Sequence, residues 1–292
     1  MILIADSGST KTDWVLTCSK QENDSFDTLK LHTQGINPIY MSEEEIGMIL
    51  RNELLPQLSS DASFDFTNLL IRFYGAGCRE DMIPKMKSAF AHVFYLCDDA
   101  ISVHSDLMGA ARALCGRKEG VACILGTGSN SCLYDGKRIV KNVPPMGFIL
   151  GDEGSGAVLG KMFVNILYKG QLPENVRIEF VDRTDYSLTY IINKVYREPL
   201  PNRFLASLVP FIHDHLDVLE IKQMVIENFR NFFVRNIQHY QANHLKVNAV
   251  GSIAYHFEEC LRQAAQMEGY VIGRIIKSPI VDLVKYHQKY DD

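Results

Sequence analysis

The same local pattern opens at Met1 and again at Val121. Met1–Ala5 is a short apolar run ending in Asp6-Ser7-Gly8-Ser9-Thr10-Lys11-Thr12, and a second extended run, Asp13–Cys18, follows. Val121–Leu125 is likewise apolar, Gly126-Thr127-Gly128-Ser129-Asn130-Ser131 is a small polar turn, and Cys132–Lys137 resumes with an Asp135-Gly136 turn signal. Strand, tight turn of Gly, Ser and Thr, and strand again read as a hairpin. A chain that begins each half with this device is expected to hold two similar domains, divided within Gly116–Gly120. Its 292 residues suit two domains of roughly 150 residues each.

Strands and helices alternate along the rest, which predicts an α/β architecture. Residues 29–34 read as a strand, broken by Gly35-Ile36-Asn37-Pro38. Ser42 with Glu45 is a capping box for a helix carrying Ile46, Ile49, Leu50 and Leu54 and limited by Pro56. Leu69–Tyr74 reads as a strand, 82–91 as a helix, and Val93–Leu96 as a short strand. That strand runs into Cys97-Asp98-Asp99-Ala100, from which a helix is expected to continue through Leu114. In the second half, Glu220–Ala242 is a helix with a broad apolar stripe. Lys246–Val250 is a strand, and Gly251-Ser252 turns into a helix with Phe257 and Leu261. Tyr270–Ile276 is a strand. Ser278-Pro279 then starts a final helix, with Ser at the cap and Pro at the first position.

Composition removes several classes. Thirty Lys and Arg against thirty-five Asp and Glu give a net charge of -5, which argues against nucleic acid or an anionic membrane as partner. The start has no basic n-region, and no run approaches ~20 apolar residues, so a cytoplasmic protein without a membrane anchor is expected. The seven cysteines form no CxxC, which disfavours a zinc ribbon, a thioredoxin-like site and a disulfide scaffold.

The two turns carry the chemistry. Glycine lets a backbone approach a ligand closely, successive amides make an anion-binding concavity, and Thr10 and Lys11 add donors. Asp6 at a strand end can hold a hard cation. Each turn alone reads equally as an ordinary polar hairpin; the pair suits a nucleoside triphosphate. No GxxxxGK[ST] occurs, and Ser131 stands where GxGxxG needs its third glycine, so neither a P-loop nor a dinucleotide fingerprint is present. Gly147–Gly156 is a third glycine-rich segment preceding a helix. Glu153 reads there as a first-turn carboxylate, and Asp152 as the better site candidate. Asp98-Asp99 reads as an N-cap or as a binding group at a strand end. His213/His215 reads as a solvated loop feature.

Together these residues resemble the acetate kinase–sugar kinase–Hsp70–actin superfamily. Asp6-x-Gly8-x-Thr10-Lys11-Thr12 is similar to its first phosphate motif, Gly126-Thr127-Gly128-Ser129 to its second, and Val250-Gly251-Ser252-Ile253-Ala254 to its adenosine motif. Gly126–Asn130 and Gly151-Asp152-Glu153-Gly154-Ser155 are similar to the N-acetylglucosamine kinase branch, grouped with the BadF/BadG/BcrA/BcrD ATPases. The resemblance implies two ribonuclease-H-like (actin-like ATPase) domains around a nucleotide- and sugar-binding cleft, 1–117 and 118–278, with the C-terminal helix 279–292 joined to the first. It implies ATP- and Mg2+-dependent phosphorylation of an amino sugar at its 6-hydroxyl. Dimers are the commonest closed assembly, so a homodimer is the default expectation. Carried over by residue, Asp99 falls on the catalytic base and Asp6 on the metal. Asn37, Ser129, Asn130 and Asp152 fall on the sugar, and Gly8, Ser9, Thr10, Lys11, Thr127, Gly251 and Ser252 on the nucleotide. Pro144-Pro145-Met146-Gly147-Phe148 departs from the branch's Trp-Gly-His pattern. N-acetylglucosamine is the first expectation as acceptor, and glucosamine, N-acetylmuramic acid and N-acetylmannosamine stay open. A BadF-type ATPase activating a redox enzyme and a non-catalytic sugar sensor are the rival readings.

Overall fold

The computed structural model describes residues 1–8, 10–19, 26–58 and 68–290. The chain divides into two compact units, Met1–Gly116 with Pro279–Asp292, and Arg117–Ser278.

The first unit holds a five-stranded sheet in the order β3-β2-β1-β4-β5, with β1 Ile2–Ser7, β2 Lys11–Ser19, β3 Phe26–Gln34, β4 Leu70–Gly75 and β5 Ile101–Ser105. β1, β2 and β3 are antiparallel neighbours, whereas β4 and β5 run parallel to β1. In the second unit the order is β10-β9-β6-β7-β8, with β6 Gly120–Leu125, β7 Ser129–Tyr134, β8 Ile139–Asn142, β9 Val247–Val250 and β10 Ile272–Ile276. Each sheet is thus a three-stranded meander extended by two parallel strands, and the repeated hairpins β1–β2 and β6–β7 occupy equivalent places in both.

The Ser42 capping box forms as the spacing predicts: Ser42 Oγ accepts from the Glu45 amide, and Glu45 accepts from the Ser42 amide. The helix passes Pro56, however, and reaches Leu58. A π-helical turn over Leu50–Leu54 lies just ahead of the proline, where a wider turn relieves the clash of the ring with the preceding carbonyl.

A second departure matters more. Val93 and Phe94 belong to the helix Ile83–Phe94, not to a strand. They continue the buried series Met86, Ala89, Phe90 at helical spacing, so packing overrides their strand preference. The helix ends at Tyr95, in the left-handed region at φ 56° and almost fully exposed. Asp98–Ala100 is a single 3-10 turn, β5 follows it, and the next helix begins only at Asp106.

The final helix, Ile280–Tyr290, packs on β1, β2 and the Asp106–Cys115 helix, with Leu283, Val284 and His287 buried. The hydroxyl of buried Tyr74 bonds to His287 Nε2 at 2.9 Å and accepts from Arg112 at 2.6 Å. Leu283 N–H donates to the Pro279 carbonyl, which places Pro279 at the cap rather than at the first helical position, and Ser278 Oγ has no partner, so the expected Ser cap does not form. No helix among the described residues is long and apolar enough to cross a membrane.

Candidate functional site

In the first unit the parallel strands finish level: Ser7 pairs with Gly75, and Gly75 with Ser105. Side chains at these carboxyl ends converge. Ser7 Oγ is buried, bonds to Thr12 Oγ1 at 2.8 Å, and holds the amide and carbonyl of Ile36 at 3.0 Å, which brings the 35–38 turn to the end of β1. The chain after β4 folds over this point, with the Ala76 amide on the Ser7 carbonyl at 2.9 Å. Gly77, at φ +78°, lies so close to Asn37 that a Cβ would stand 2.2 Å from Asn37 Oδ1. Asn37 in turn accepts from the Ile39 amide.

Asp106 is the carboxylate that β5 delivers to this end. Ser105 caps its helix, accepting from the Met108 amide, and Asp106 Oδ1 accepts from Leu107 N at 2.8 Å. Burial raises its carboxyl, against those backbone donors. Asp6 is raised from 3.8 to about 7, first by burial, then by the charges of Asp106 and Asp13, with Lys11 opposing. Cys78 is pushed up to about 12 by burial and by Asp106, so it stays a neutral thiol. Burial thus raises the proton affinity of both carboxyls, and the charge of Asp106 acts on Asp6, so the two are electrostatically linked.

Asp99 is not part of this cluster. It is exposed and precedes β5, so about 17 Å of strand separates it from the end where Asp6 and Asp106 meet. Its expected place at a strand's carboxyl end came from reading Val93–Leu96 as a strand. Asp106 is the carboxylate that stands at the end of β5, and the sequence signal for that placement was present: alternating Ile101 and Val103, a Ser105 cap, then Leu107, Ala110, Ala111 and Leu114 at helical spacing.

Other first-unit candidates fall around the hairpin. Gly8 N–H is engaged by the Lys11 carbonyl, the Thr10 carbonyl accepts from Gly35, and Lys11 Nζ pairs with Asp13 at 3.0 Å. Asp13 also meets His32 Nδ1 at 2.7 Å. Ser9 lies outside the described residues.

In the second unit the Gly126–Gly128 turn is a hub. Its carbonyls at Gly126 and Thr127 accept from the amides of Gly156 and Ala157, at the start of the helix Gly156–Tyr168. Asp152 flanks it on one side: a Cβ on Gly128 would stand 3.1 Å from Asp152 Oδ2. Burial raises the Asp152 carboxyl to about 6, while the amides of Ser129 and Gly147 favour its charge. Asp152 has φ +55° and is held by its neighbours; buried Asn228 accepts from Gly154 N and donates to the Ser155 carbonyl. Gly251 flanks the turn on the other side at φ +126°, where a Cβ would stand 2.2 Å from the Leu125 carbonyl oxygen. Only glycine fits there. Beyond it, Thr127 and Ser252 share a cavity of about 380 Å³ with Val209, Pro210, Ile253 and Phe257, and with the polar His213 and Asp214. Asn130 Oδ1 is already engaged by Ser131 N and Asn142 Nδ2. Glu153 pairs with Arg235 and Asn236, a structural role.

A solved structure from Porphyromonas gingivalis, named as a candidate N-acetylglucosamine kinase, is 44% identical over 100% of both chains, with a TM-score of 0.93. The chain belongs to the N-acetylglucosamine kinase branch of the acetate kinase–sugar kinase–Hsp70–actin superfamily. As a member of that branch it is a sugar kinase, a phosphotransferase. A Chromobacterium violaceum protein named for the same candidate activity (13% identity, 98% of each chain, TM-score 0.72) shares the fold. So does MreB 5 of Spiroplasma citri, bound to AMPPNP (10% identity, 99% and 96% of the chains, TM-score 0.53). No family model matches the sequence, and no curated protein matches it at a significant level.

Proposed function

We propose that this kinase transfers the γ-phosphoryl group of ATP to the 6-hydroxyl of N-acetylglucosamine or a close amino sugar, with Asp106 as the general base. The observation that carries this reading is the pairing of Asp106 with Asp6 where β1, β4 and β5 end together. Phosphoryl transfer asks mainly for position and charge neutralisation. Burial raises the proton affinity of Asp106, which suits the carboxylate to accept the hydroxyl proton, and such a base contributes ~10²–10⁴ in rate.

Asn37, held against Gly77, and Asp152, Ser129 and Asn130 in the second unit are read as sugar contacts. Thr127, Gly251 and Ser252 line or border the 380 Å³ cavity, whose apolar wall suits a purine; this supports ATP as the donor. Gly8, Ser9, Thr10 and Lys11 are assigned to the phosphates. Magnesium is commonly held by one or two carboxylates together with substrate phosphates. Asp6 and Asp106 fit that donor set, since a cation beside them offsets the burial and the repulsion that raise Asp6. The ion would neutralise phosphate charge. Each unit is read as one actin-like ATPase domain, 1–117 with the helix 279–292, and 118–278. Cys78, Cys97 and Cys260 are free thiols, which supports a reducing, cytoplasmic setting.

The test compares Asp106→Asn with Asp99→Asn in a coupled ADP-release assay over a panel of amino sugars. Asp106→Asn should lose ~10²–10⁴ in kcat while keeping ATP affinity, and Asp99→Asn should stay within about twofold of the parent. Full turnover by Asp106→Asn removes the assigned base. Absence of sugar-dependent ADP release from the parent removes the substrate class.

A further inference from the structure

The face of the first sheet that carries Asp6 also carries a buried tyrosine that the reaction as described does not use. β1, β4 and β5 are in register at Asp6, Tyr74 and His104. Side chains at one level of a parallel sheet share a face, so these three point to the same side. Phe73 and Val103, one step away, belong to the apolar core on the opposite side. The Asp6 face is covered by the helix Asp106–Cys115 and by the last helix, Ile280–Tyr290. Tyr74 is fully buried there, with its ring stacked on His104 at 5.5 Å.

Tyr74 grips the Asp106 helix at two points. Gly109 lies one turn beyond Asp106, and a Cβ there would stand 3.0 Å from Tyr74 Cγ, so the helix backbone rests on the ring. One turn further, Arg112 donates to the Tyr74 hydroxyl at 2.6 Å, and its guanidinium lies 5.6 Å from the ring centre. Contacts a turn apart, ~4.5 Å along the helix axis, oppose both slide and roll. The hydroxyl is held in turn by His287 Nε2 at 2.9 Å. An arginine side chain only donates, so the hydroxyl oxygen takes that bond and its proton is left for His287. His287 is buried, and Tyr286 beside it sets its ring 5.4 Å from the Arg112 guanidinium.

We propose that Tyr74 is a positioning residue for phosphoryl transfer and that His287 of the last helix holds it in place. Tyr74 pairs with Asp6 across the sheet and supports the helix that begins at Asp106, so it sets the distance across which the two carboxylates work. The proposal rests on Asp106 as the general base. In this arrangement the last helix does more than close the sheet: it governs kcat without touching substrate. A reacting group misplaced by ~1 Å loses on the order of 10²-fold in rate, and a Tyr74 ring without its hydroxyl bonds lets the helix drift by part of that distance.

The test measures kcat and both KM values by ADP release, with N-acetylglucosamine as acceptor. The variants are Tyr74→Phe, His287→Leu and His287→Gln, each alone and combined with Asp106→Asn. Circular dichroism melts set an assay temperature at which the variants are folded. Tyr74→Phe keeps the ring on Gly109 and removes both hydroxyl bonds. Its kcat should fall ~10–100-fold, with the KM of ATP and of sugar within about twofold of the parent. His287→Leu should behave alike. His287→Gln, whose terminal amide reaches about where Nε2 stood, should stay within about threefold of the parent. Beside Asp106→Asn, neither Tyr74→Phe nor His287→Leu should lower kcat further, because a side chain that acts through the base has nothing left to position. If Tyr74→Phe does not fold, the two His287 variants carry the test. A kcat within twofold of the parent in Tyr74→Phe and His287→Leu overturns the proposal. So does an equal fold-loss with and without Asp106→Asn, which marks a merely structural role, and so does a Gln variant no better than Leu. Parent-like turnover in Asp106→Asn removes the base assignment instead; an impaired Asp106→Asn beside a silent Tyr74→Phe removes this proposal alone.

Discussion

Replacing Asp6 with asparagine should make the first unit more stable while abolishing kinase activity. In the folded chain the Asp6 carboxyl is raised from 3.8 to about 7 by burial and by the charges of Asp106 and Asp13. A raised carboxyl means that ionisation is less favourable folded than unfolded. Below about pH 4 the group is neutral in both states and costs nothing. From pH 4 to pH 7 the unfolded chain ionises and the folded chain resists, so stability is lost as pH rises; above pH 7 the penalty is constant. At about 1.4 kcal/mol per tenfold, the shift corresponds to ~4 kcal/mol, and sharing of the repulsion with its neighbours lowers the expectation to about 2–4 kcal/mol. Asparagine has the same shape and no charge. In calorimetry without nucleotide and with a chelator, the transition of the first unit in Asp6→Asn should therefore rise by roughly 5–12 °C at pH 8. The gain should shrink steadily toward pH 4. A gain that is independent of pH, or a loss at pH 8, refutes the reasoning. The parent would then carry its carboxylate without strain, and the proximity of Asp6 to Asp106 would have another meaning.

Two further outcomes follow from the second unit. Gly251→Ala sets a Cβ 2.2 Å from the Leu125 carbonyl oxygen at φ +126°; urea unfolding of the second unit should show a loss of at least about 3 kcal/mol. Asp152 is raised to about 6, so if its carboxylate accepts from sugar hydroxyls, the sugar KM should rise as pH falls through 6. Asp152→Asn should give a high KM that is flat over the same range, read from initial rates between pH 5 and 8.

Much of this architecture is written in short-range signals. The hairpins at Asp6–Lys11 and Gly126–Gly128 declare themselves through small residues between apolar runs, and the Ser42–Glu45 box marks its helix start to the residue. The parallel strands are harder. β5 is only five residues long, and Val93-Phe94 carries as strong a strand composition as Ile101–Ser105. What separates them is that Val93 and Phe94 complete a buried helical stripe, a fact of packing rather than of local preference. That one exchange put Asp99, rather than Asp106, at the expected strand end. The second-unit site was more legible, because Gly128, packed on Asp152, and Gly251, packed on the Leu125 carbonyl, sit where crowding admits few alternatives. The bond between Tyr74 and His287 was not legible, since 213 positions separate the two along the chain.

The return of Ile280–Tyr290 to the first unit sets an order of events during synthesis. Tyr74, Arg112, β1 and β2 emerge early, but His287 and Leu283, on the helix that packs against them, leave the ribosome only after the second body. The N-terminal body must therefore wait, with one flank open, until the whole second body has been made. Domains that fold as they emerge gain protection against aggregation; here that protection comes first to the later body, and the earlier one depends on the tail to close it.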